Sequence, residues 1–331
     1  MPHHNLKHYA IVADIGGTFA RFSRVNLTNL QLDKIEIFPC SEFVSFESAL
    51  IKYQTQHSLQ DIKQVGIAIA CPVVDDVVCM TNCHWTFSIQ ELQYSLDLYE
   101  LRVMNDFTAI AMSLPVLAPH EVIQVGGGHC DPDKTRLVLG AGTGLGVASL
   151  IPDQGRYIAY SGEGGHASWG AKNEQEWFIY NYLKQQYSHV SYERLLSGQG
   201  LENLYQAVAA FQQCTVPALQ AAQIISLALE KQCPIAEASV AQFFNTLGTY
   251  AGDLALTFEA FGGVYIAGGI VPRLLTVIHR SHFRSRFEEK GRFSDFNSLI
   301  PTYVVSADQP GILGAAVYLK QSLIGGLDAI S

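Results

Sequence analysis

Asp106 stands between the apolar run 101–104 and the helix-compatible run 107–112, where a strand ends and a helix begins. That position suits an N-cap carboxylate accepting backbone N–H groups. It equally suits a general base within hydrogen-bond reach of a substrate hydroxyl. Asn105 beside it can both donate and accept. Two further polar clusters follow. Gly162-Glu163-Gly164-Gly165-His166 sets an acid and an imidazole three residues apart among glycines, without apolar cover. Ser191-Tyr192-Glu193-Arg194 begins like a helix with Ser191 as its cap. Glu193 taken alone reads as a first-turn partner of the helix dipole. Asn105, Asp106, Glu163, His166 and Glu193 as a set would suit a hexose, because every sugar hydroxyl both donates and accepts and needs rigid polar partners.

Three glycine-rich turns each follow a short apolar run: Asp14-Ile15-Gly16-Gly17-Thr18, Gly140-Ala141-Gly142-Thr143-Gly144-Leu145-Gly146, and Ala267-Gly268-Gly269-Ile270. Glycine lets backbone N–H groups close on an anion, and threonine adds a hydroxyl. Any one of these loops is an ordinary tight turn; three together point to phosphate. Neither Gly-Lys-Ser nor Gly-Lys-Thr occurs, and Gly140, Gly142 and Gly144 do not continue into the dinucleotide spacing, which disfavours both common nucleotide motifs. Asp14 is placed either to hold Mg²⁺ through water or to start an Asx turn. Cys71, Cys79, Cys83 and His84 lack the paired spacing of a structural zinc site. No nucleophile elbow supports acyl transfer.

The elements that must carry these residues follow from periodicity. Residues 9–13 and 20–27 read as strand, glycine turn and strand, and residues 136–151 repeat that arrangement. Short apolar runs at 65–70 and 101–104, separated by helix-compatible segments at 46–52 and 89–98, predict an α/β lobe. Val240, Phe243, Phe244, Leu247, Ala251, Leu254, Phe258 and Phe261 recur at helical spacing, with Gly262-Gly263 as the expected stop. A strand at 264–267 follows. Asp308-Gln309-Pro310 starts a last helix whose apolar face includes Leu313, Ala316, Val317 and Ile324, and which is expected to return to the first lobe. Breaks at 115–119 and 306–310 place the lobes at 1–116 plus 308–331 and at 117–307.

Composition bounds the function. A chain of 331 residues suggests two domains at roughly 150 residues each. Hydrophobic residues make up 48% and charged residues 15%, against a usual charged share of about 25%, so large cores can form. The net charge is −9 with no basic run, which excludes nucleic acid as an expected partner. The 15 residues from 137 to 151 contain four glycines and fall short of the roughly 20 needed to span a bilayer, so no membrane helix is expected. Asp14 interrupts the first apolar run, which makes no signal peptide. Seven scattered cysteines form no disulfide framework and suit a reducing, cytoplasmic location.

In their order along the chain these residues resemble the bacterial glucokinases of the hexokinase, actin and heat-shock-protein ATPase superfamily. The resemblance is carried by Ala13-Asp-Ile-Gly-Gly-Thr18, Ala68-Ile-Ala-Cys-Pro72, Met80-Thr-Asn82, Asn105-Asp-Phe-Thr-Ala109, Leu139 to Gly146, Gly162 to His166, Leu196-Ser-Gly198, Ile266 to Pro272 and Asp308-Gln-Pro-Gly311. It implies a two-lobed, actin-like α/β fold with ribonuclease H-like lobes and an interlobe cleft. It further implies ATP-dependent phosphorylation of D-glucose to glucose 6-phosphate, with Asp106 taking the proton of the 6-hydroxyl. Asn105, Asp106, Glu163, His166 and Glu193 would hold the sugar. Ala13, Asp14, Ile15, Gly16, Gly17, Thr18, Gly142, Thr143, Gly144, Gly268 and Gly269 would contact ATP, and Asp14 would reach Mg²⁺ through water. A homodimer is implied as well. Phe19 stands where the family often has a small polar residue, which leaves only backbone contacts to be expected there. Ala167-Ser-Trp-Gly-Ala171 follows His166 where the related repressor and sugar-kinase group usually carries a zinc motif, which points to the zinc-free branch. The alternatives are a kinase of another hexose and a non-catalytic sugar sensor. Only about eight residues precede the first strand, so a helix-turn-helix is not expected.

Overall fold

Tyr9–Ile15 is a nearly unbroken apolar run because its strand is buried on both faces, the pattern of a central strand in a parallel sheet. In the computed structural model, which describes residues 8–80 and 83–328, this strand is the middle of the first sheet. Thr81 and Asn82 of one quoted motif lie outside the described residues, as do the residues before His8 and after Asp328.

In chain order the first half forms β1 (Tyr9–Ile15), β2 (Phe19–Asn26), β3 (Leu32–Pro39), α1 (Phe46–His57), β4 (Gln64–Ile69), β5 (Val77–Cys79), β6 (Thr86–Ser88), α2 (Ile89–Ser95), β7 (Glu100–Asn105) and α3 (Asp106–Ser113). There follow β8 (Val122–Gln124), β9 (Arg136–Ala141), β10 (Leu145–Asp153), β11 (Arg156–Gly162), α4 (Glu174–Lys184), α5 (Gly198–Phe211), α6 (Ala221–Leu229) and α7 (Pro234–Phe258). The chain closes with β12 (Val264–Ala267), α8 (Leu275–Ile278), α9 (Phe283–Glu288), α10 (Ser294–Ser298), β13 (Thr302–Val305) and α11 (Pro310–Asp328).

Two units emerge. The first holds the chain up to Leu117, Asp153–Ser161 and the chain from Ala307 onward; the second holds Ala118–Pro152 and Gly162–Ser306. The proline-marked breaks fall close to two of these crossings. The grouping of 153–161 with the first unit has no such mark in the sequence, and it is fixed by Tyr157, whose backbone N–H and carbonyl bond the Gln321 side-chain amide on α11.

The first unit's sheet runs β3-β2-β1-β4-β7, with β1, β4 and β7 mutually parallel. Ile11, Ala13 and Ile15 face a core containing Phe22, Phe46, Leu50 and Tyr53. Ala10 and Val12 face Ile312, Ala315, Ala316 and Leu319 of α11. The returning last helix therefore closes the second face of the sheet. Its approach is very close: a Cβ on Gly314 would stand 1.6 Å from the Ala109 carbonyl oxygen of α3.

In the second unit the strand order is β10-β9-β12-β13-β8, with β9, β12 and β13 parallel. The helical layer includes α7, whose Val240, Phe243, Phe244, Leu247 and Ala251 are buried as their spacing predicts. The expected stop at Gly262-Gly263 is corrected. The helix ends at Phe258, and Glu259 takes the left-handed conformation at φ 48°. The two glycines serve the entry to β12 instead: a Cβ on Gly262 would stand 2.4 Å from the Lys134 carbonyl, and Gly263 has φ +104°. Among the described residues no helix is long and apolar enough to cross a membrane.

Candidate active site

The first unit gathers its polar residues at the C-terminal edge of β1, β4 and β7, the edge where open parallel sheets place their ligands. Register sets their spacing. Ile15 pairs with Ile69, which pairs with Asn105, so Asp14 and Asp106 lie on opposite sides of β4, their strands about 10 Å apart across the sheet.

Asn105, rather than Asp106, is the N-cap of α3: its Oδ1 accepts the N–H groups of Phe107 at 2.9 Å and Thr108 at 3.3 Å, and its Nδ2 donates to the Cys71 carbonyl. The cap reading of Asp106 is thereby corrected. The strand releases its last residue into extended backbone at φ −61°, ψ 148°, the geometry of a cap, one position earlier than expected. Asp106 occupies the first helical position. Its Oδ1 accepts the Phe107 N–H at 2.9 Å. Burial and the nearby charge of Asp14 push its carboxyl up to about 6, against opposing hydrogen bonds from the Phe107 and Asp106 amides and Asn105.

Asp14 is itself raised above the ordinary carboxylate range by burial, with Arg21 pulling the other way. Arg21 reaches it because the β1–β2 hairpin pairs the two residues directly, Nη1 to Oδ2 at 3.8 Å. Gly311, in the first turn of α11, also lies against this carboxylate: a Cβ there would stand 3.1 Å from Oδ2. The Gly16-Gly17-Thr18 turn is closed by the Gly16 N–H on the Phe19 carbonyl at 3.0 Å, and it leaves Thr18 exposed. Ala13 and Ile15 are core residues, so only their backbone could meet a ligand.

The second unit brings Glu163, His166 and Glu193 together. His166 Nε2 lies 3.9 Å from a carboxylate oxygen of each. Two short 3₁₀ turns, Gly164–His166 and Tyr192–Arg194, are clamped by the Tyr192 N–H on the Ala167 carbonyl. The expected helix at Ser191 is thus a single 3₁₀ turn in which the Ser191 side chain caps nothing. Glu193 serves no dipole. Its Oε2 accepts the Leu145 N–H at 2.9 Å, which leaves Oε1 to His166. Gly144 leaves room for this carboxylate: a Cβ there would stand 2.7 Å from Glu193 Oε2, the mobile end of a side chain that would have to shift.

The other two glycine loops meet in this unit. A Cβ on Gly140 would stand 2.8 Å from the Ala267 backbone, and one on Gly268, at φ +86°, 2.5 Å from the Ala141 carbonyl. Gly142 and Gly269 face open space, and Thr143 is exposed. The Gly198 N–H bonds the Gly142 carbonyl at 2.8 Å, which brings the N-terminus of α5 to this loop. Backbone N–H groups and a helix end are the parts of an anion site that needs no basic side chain.

Arg21, Gly311 and Leu145 were not legible as site residues. Arg21 could have been found from hairpin register only with the turn set at Gly17-Thr18, which pairs positions 14 and 21; a turn at Gly16-Gly17 would pair 14 with 19. Gly311 and Gly198 lie in quoted motifs to which no role could be attached from spacing.

A family model described as glucokinase matches residues 11–322. This chain belongs to the glucokinase family. The glucokinase of Photorhabdus laumondii subsp. laumondii is 43% identical over 315 residues, which are 95% of this chain and 98% of that one. The crystal structure of a glucokinase from an Antarctic psychrotroph is 34% identical with a TM-score of 0.87, covering 95% of this chain and 99% of the other. A glucokinase of the ROK family from Streptomyces griseus, solved with glucose and AMPPNP, gives a TM-score of 0.64 at 19% identity over 95% of this chain and 99% of that one, a likeness of fold alone. The α/β architecture is accordingly the actin-like fold of the glucokinases.

Proposed function

We propose that this glucokinase transfers the γ-phosphoryl group of ATP to the 6-hydroxyl of D-glucose with Asp106 as general base. The observation that carries the role is the position of Asp106: the first helical residue beyond β7, at the C-terminal edge of the sheet, with a carboxyl at about 6. At pH 7 such a group is mostly ionised, yet it remains basic enough to accept a proton as the bond forms. The sugar oxygen bonds to the γ-phosphorus, the bond from that phosphorus to the bridging oxygen breaks, ADP departs, and the hydroxyl proton passes to Asp106.

The remaining polar residues position the reactants. Asn105 is held in place by its bond to the Cys71 carbonyl, and Glu163, His166 and Glu193 offer acceptors and a donor for sugar hydroxyls. The loops at Gly16 to Thr18, Gly142 to Gly144 and Gly268-Gly269 would cradle phosphates and adenosine through backbone N–H groups. Asp14 fits Mg²⁺ in the manner usual for that ion, one carboxylate with waters and substrate phosphates, and among the described residues no cluster of three ligating side chains forms a closed metal cage. Bound there, Mg²⁺ would neutralise charge developing on the phosphates. A cytoplasmic homodimer completes the reading, and sedimentation of the intact chain checks its stoichiometry.

The test is ADP release coupled to a dehydrogenase across glucose, fructose, mannose and N-acetylmannosamine. Turnover with glucose foremost is expected. Preference for another sugar would reassign the substrate, and no release with any sugar would leave a sensor.

A further inference from the structure

Glu163, His166 and Glu193 are neighbours without being hydrogen-bonded to one another: His166 Nε2 stands 3.9 Å from an oxygen of each carboxylate, beyond hydrogen-bond reach. Among the described residues, Glu193 is the one of the three whose side chain is tied to the backbone, by the Leu145 N–H at 2.9 Å. The placing of Glu163 and His166 therefore depends on what the Gly164–His166 turn rests upon.

That turn rests on α7. A Cβ on Gly164 would stand 2.7 Å from the Tyr250 hydroxyl oxygen, with Val147 next at 3.5 Å, an ordinary contact distance. Gly164 has no left-handed backbone, so the hydroxyl is what excludes a side chain there. Nor is the hydroxyl free to retreat. Tyr250 is 2% exposed, and its ring stacks on Tyr192 with centroids 4.1 Å apart. Tyr192 in turn donates its hydroxyl to Asp253 Oδ2 at 3.2 Å, and Lys290 Nζ holds the other oxygen of that carboxylate at 2.7 Å. Because Tyr192 precedes Glu193, the stacked pair joins both turns to one helix.

The Tyr250 hydroxyl is buried and makes no hydrogen bond among the described residues. An unpartnered buried hydroxyl is unfavourable, so stability by itself would favour phenylalanine at this position. What the hydroxyl does meet is Gly164.

We propose that Tyr250 is a positioning residue for the sugar: its hydroxyl is the stop against which the Gly164–His166 turn rests, and it thereby sets Glu163 and His166 at their spacing from Glu193. This rests on the reading that those three residues hold glucose. Tyr250, being buried, acts through the turn. Removing the hydroxyl lets the turn settle toward α7, and adding a methyl group to Gly164 lifts it away. Either change misplaces groups that bind the sugar, a loss that shows in KM more than in kcat.

The test measures steady-state kinetics, calorimetric glucose binding and thermal midpoints on the intact chain carrying Gly164→Ala, Tyr250→Phe, or both. Gly164→Ala should raise the glucose KM and Kd at least about tenfold, with kcat within about threefold of the parent. Tyr250→Phe should raise them about threefold while its thermal midpoint holds or rises. The double variant should return to within about twofold of the parent, because the alanine methyl takes the space that the hydroxyl leaves. A role in packing alone would move the midpoint and leave KM in place. Glu163→Gln separates this inference from the reading beneath it: a raised glucose KM is expected, and an unchanged one removes Glu163 from the sugar site and the inference with it. With KM raised in Glu163→Gln, an unmoved KM in either single variant, or a double variant as impaired as Gly164→Ala, overturns the role of Tyr250 and leaves the sugar site standing.

Discussion

The Glu193 carboxylate accepts the Leu145 backbone N–H at 2.9 Å, across 48 residues of chain. This one bond ties the cluster of Glu163, His166 and Glu193 to the glycine loop that precedes β10, and it holds Glu193 Oε1 toward His166. Gly144 is the neighbour that permits it. Gly144→Ala would put a methyl group 2.7 Å from Glu193 Oε2 and displace the carboxylate. The expected result is a rise of about tenfold or more in the glucose KM, matched by Glu193→Gln, although the alanine itself need not touch sugar. Steady-state kinetics with varied glucose measure it, and an unchanged KM in Gly144→Ala would remove Glu193 from the site.

Asp106→Asn keeps the shape and the hydrogen bond from Phe107 but cannot accept the proton. Turnover should fall at least about 10²-fold while glucose still binds by calorimetry. The same variant should be more stable than the parent above the folded carboxyl value of about 6, because the ionised group is held there against burial and Asp14. The sign follows from linkage: an acid raised in the folded state binds its proton more tightly when folded, so ionisation erodes stability as pH rises from about 4 to about 6. The gain should be about 1–3 kcal/mol at pH 8 and vanish near pH 3.5, read from denaturant midpoints at the two pH values.

Glucose phosphorylation should show an acid limb in kcat/KM near pH 6, falling about tenfold per unit below it. Asp14 contributes to that value by repulsion. In Asp14→Asn the residual activity, however low, should keep its acid limb at a lower pH, because one negative neighbour is gone. A limb that stays in place or moves upward would show that burial alone sets the carboxyl of Asp106.

Gly314→Ala tests the docking of the last helix. With the Ala109 carbonyl 1.6 Å from the new Cβ, α11 must lift from α3, the helix whose first residue is Asp106. A loss of about 1–3 kcal/mol or more in urea unfolding is expected, accompanied by a fall in turnover. By contrast, Gly155→Ala, where a Cβ meets open space, should bear only the strain of its φ of +80°.

Much of the site was already present in residue order. Glycine turns after apolar runs, an acid at a strand end and a long helical stripe depend on backbone sterics and side-chain periodicity, which act over a few residues. Those features identified the α/β class, the three loops, Asp106 and the glucokinase resemblance, and the family match bears out the fold and the activity. Even locally there were limits. Asn105 took the cap that Asp106 was read to hold, because the cap is decided by where extended backbone gives way to helix, a matter of one residue.

What only the tertiary structure decided is who stands beside whom. The Arg21 partner of Asp14 comes from strand register, the Gly311 contact from the return of α11 after some three hundred residues, and the Leu145 anchor of Glu193 from two turns clamped in a separate part of the chain. The carboxyl of Asp106 near 6 belongs to the same class. It arises from burial and from a charge on another strand, and neither can be summed until the chain has closed.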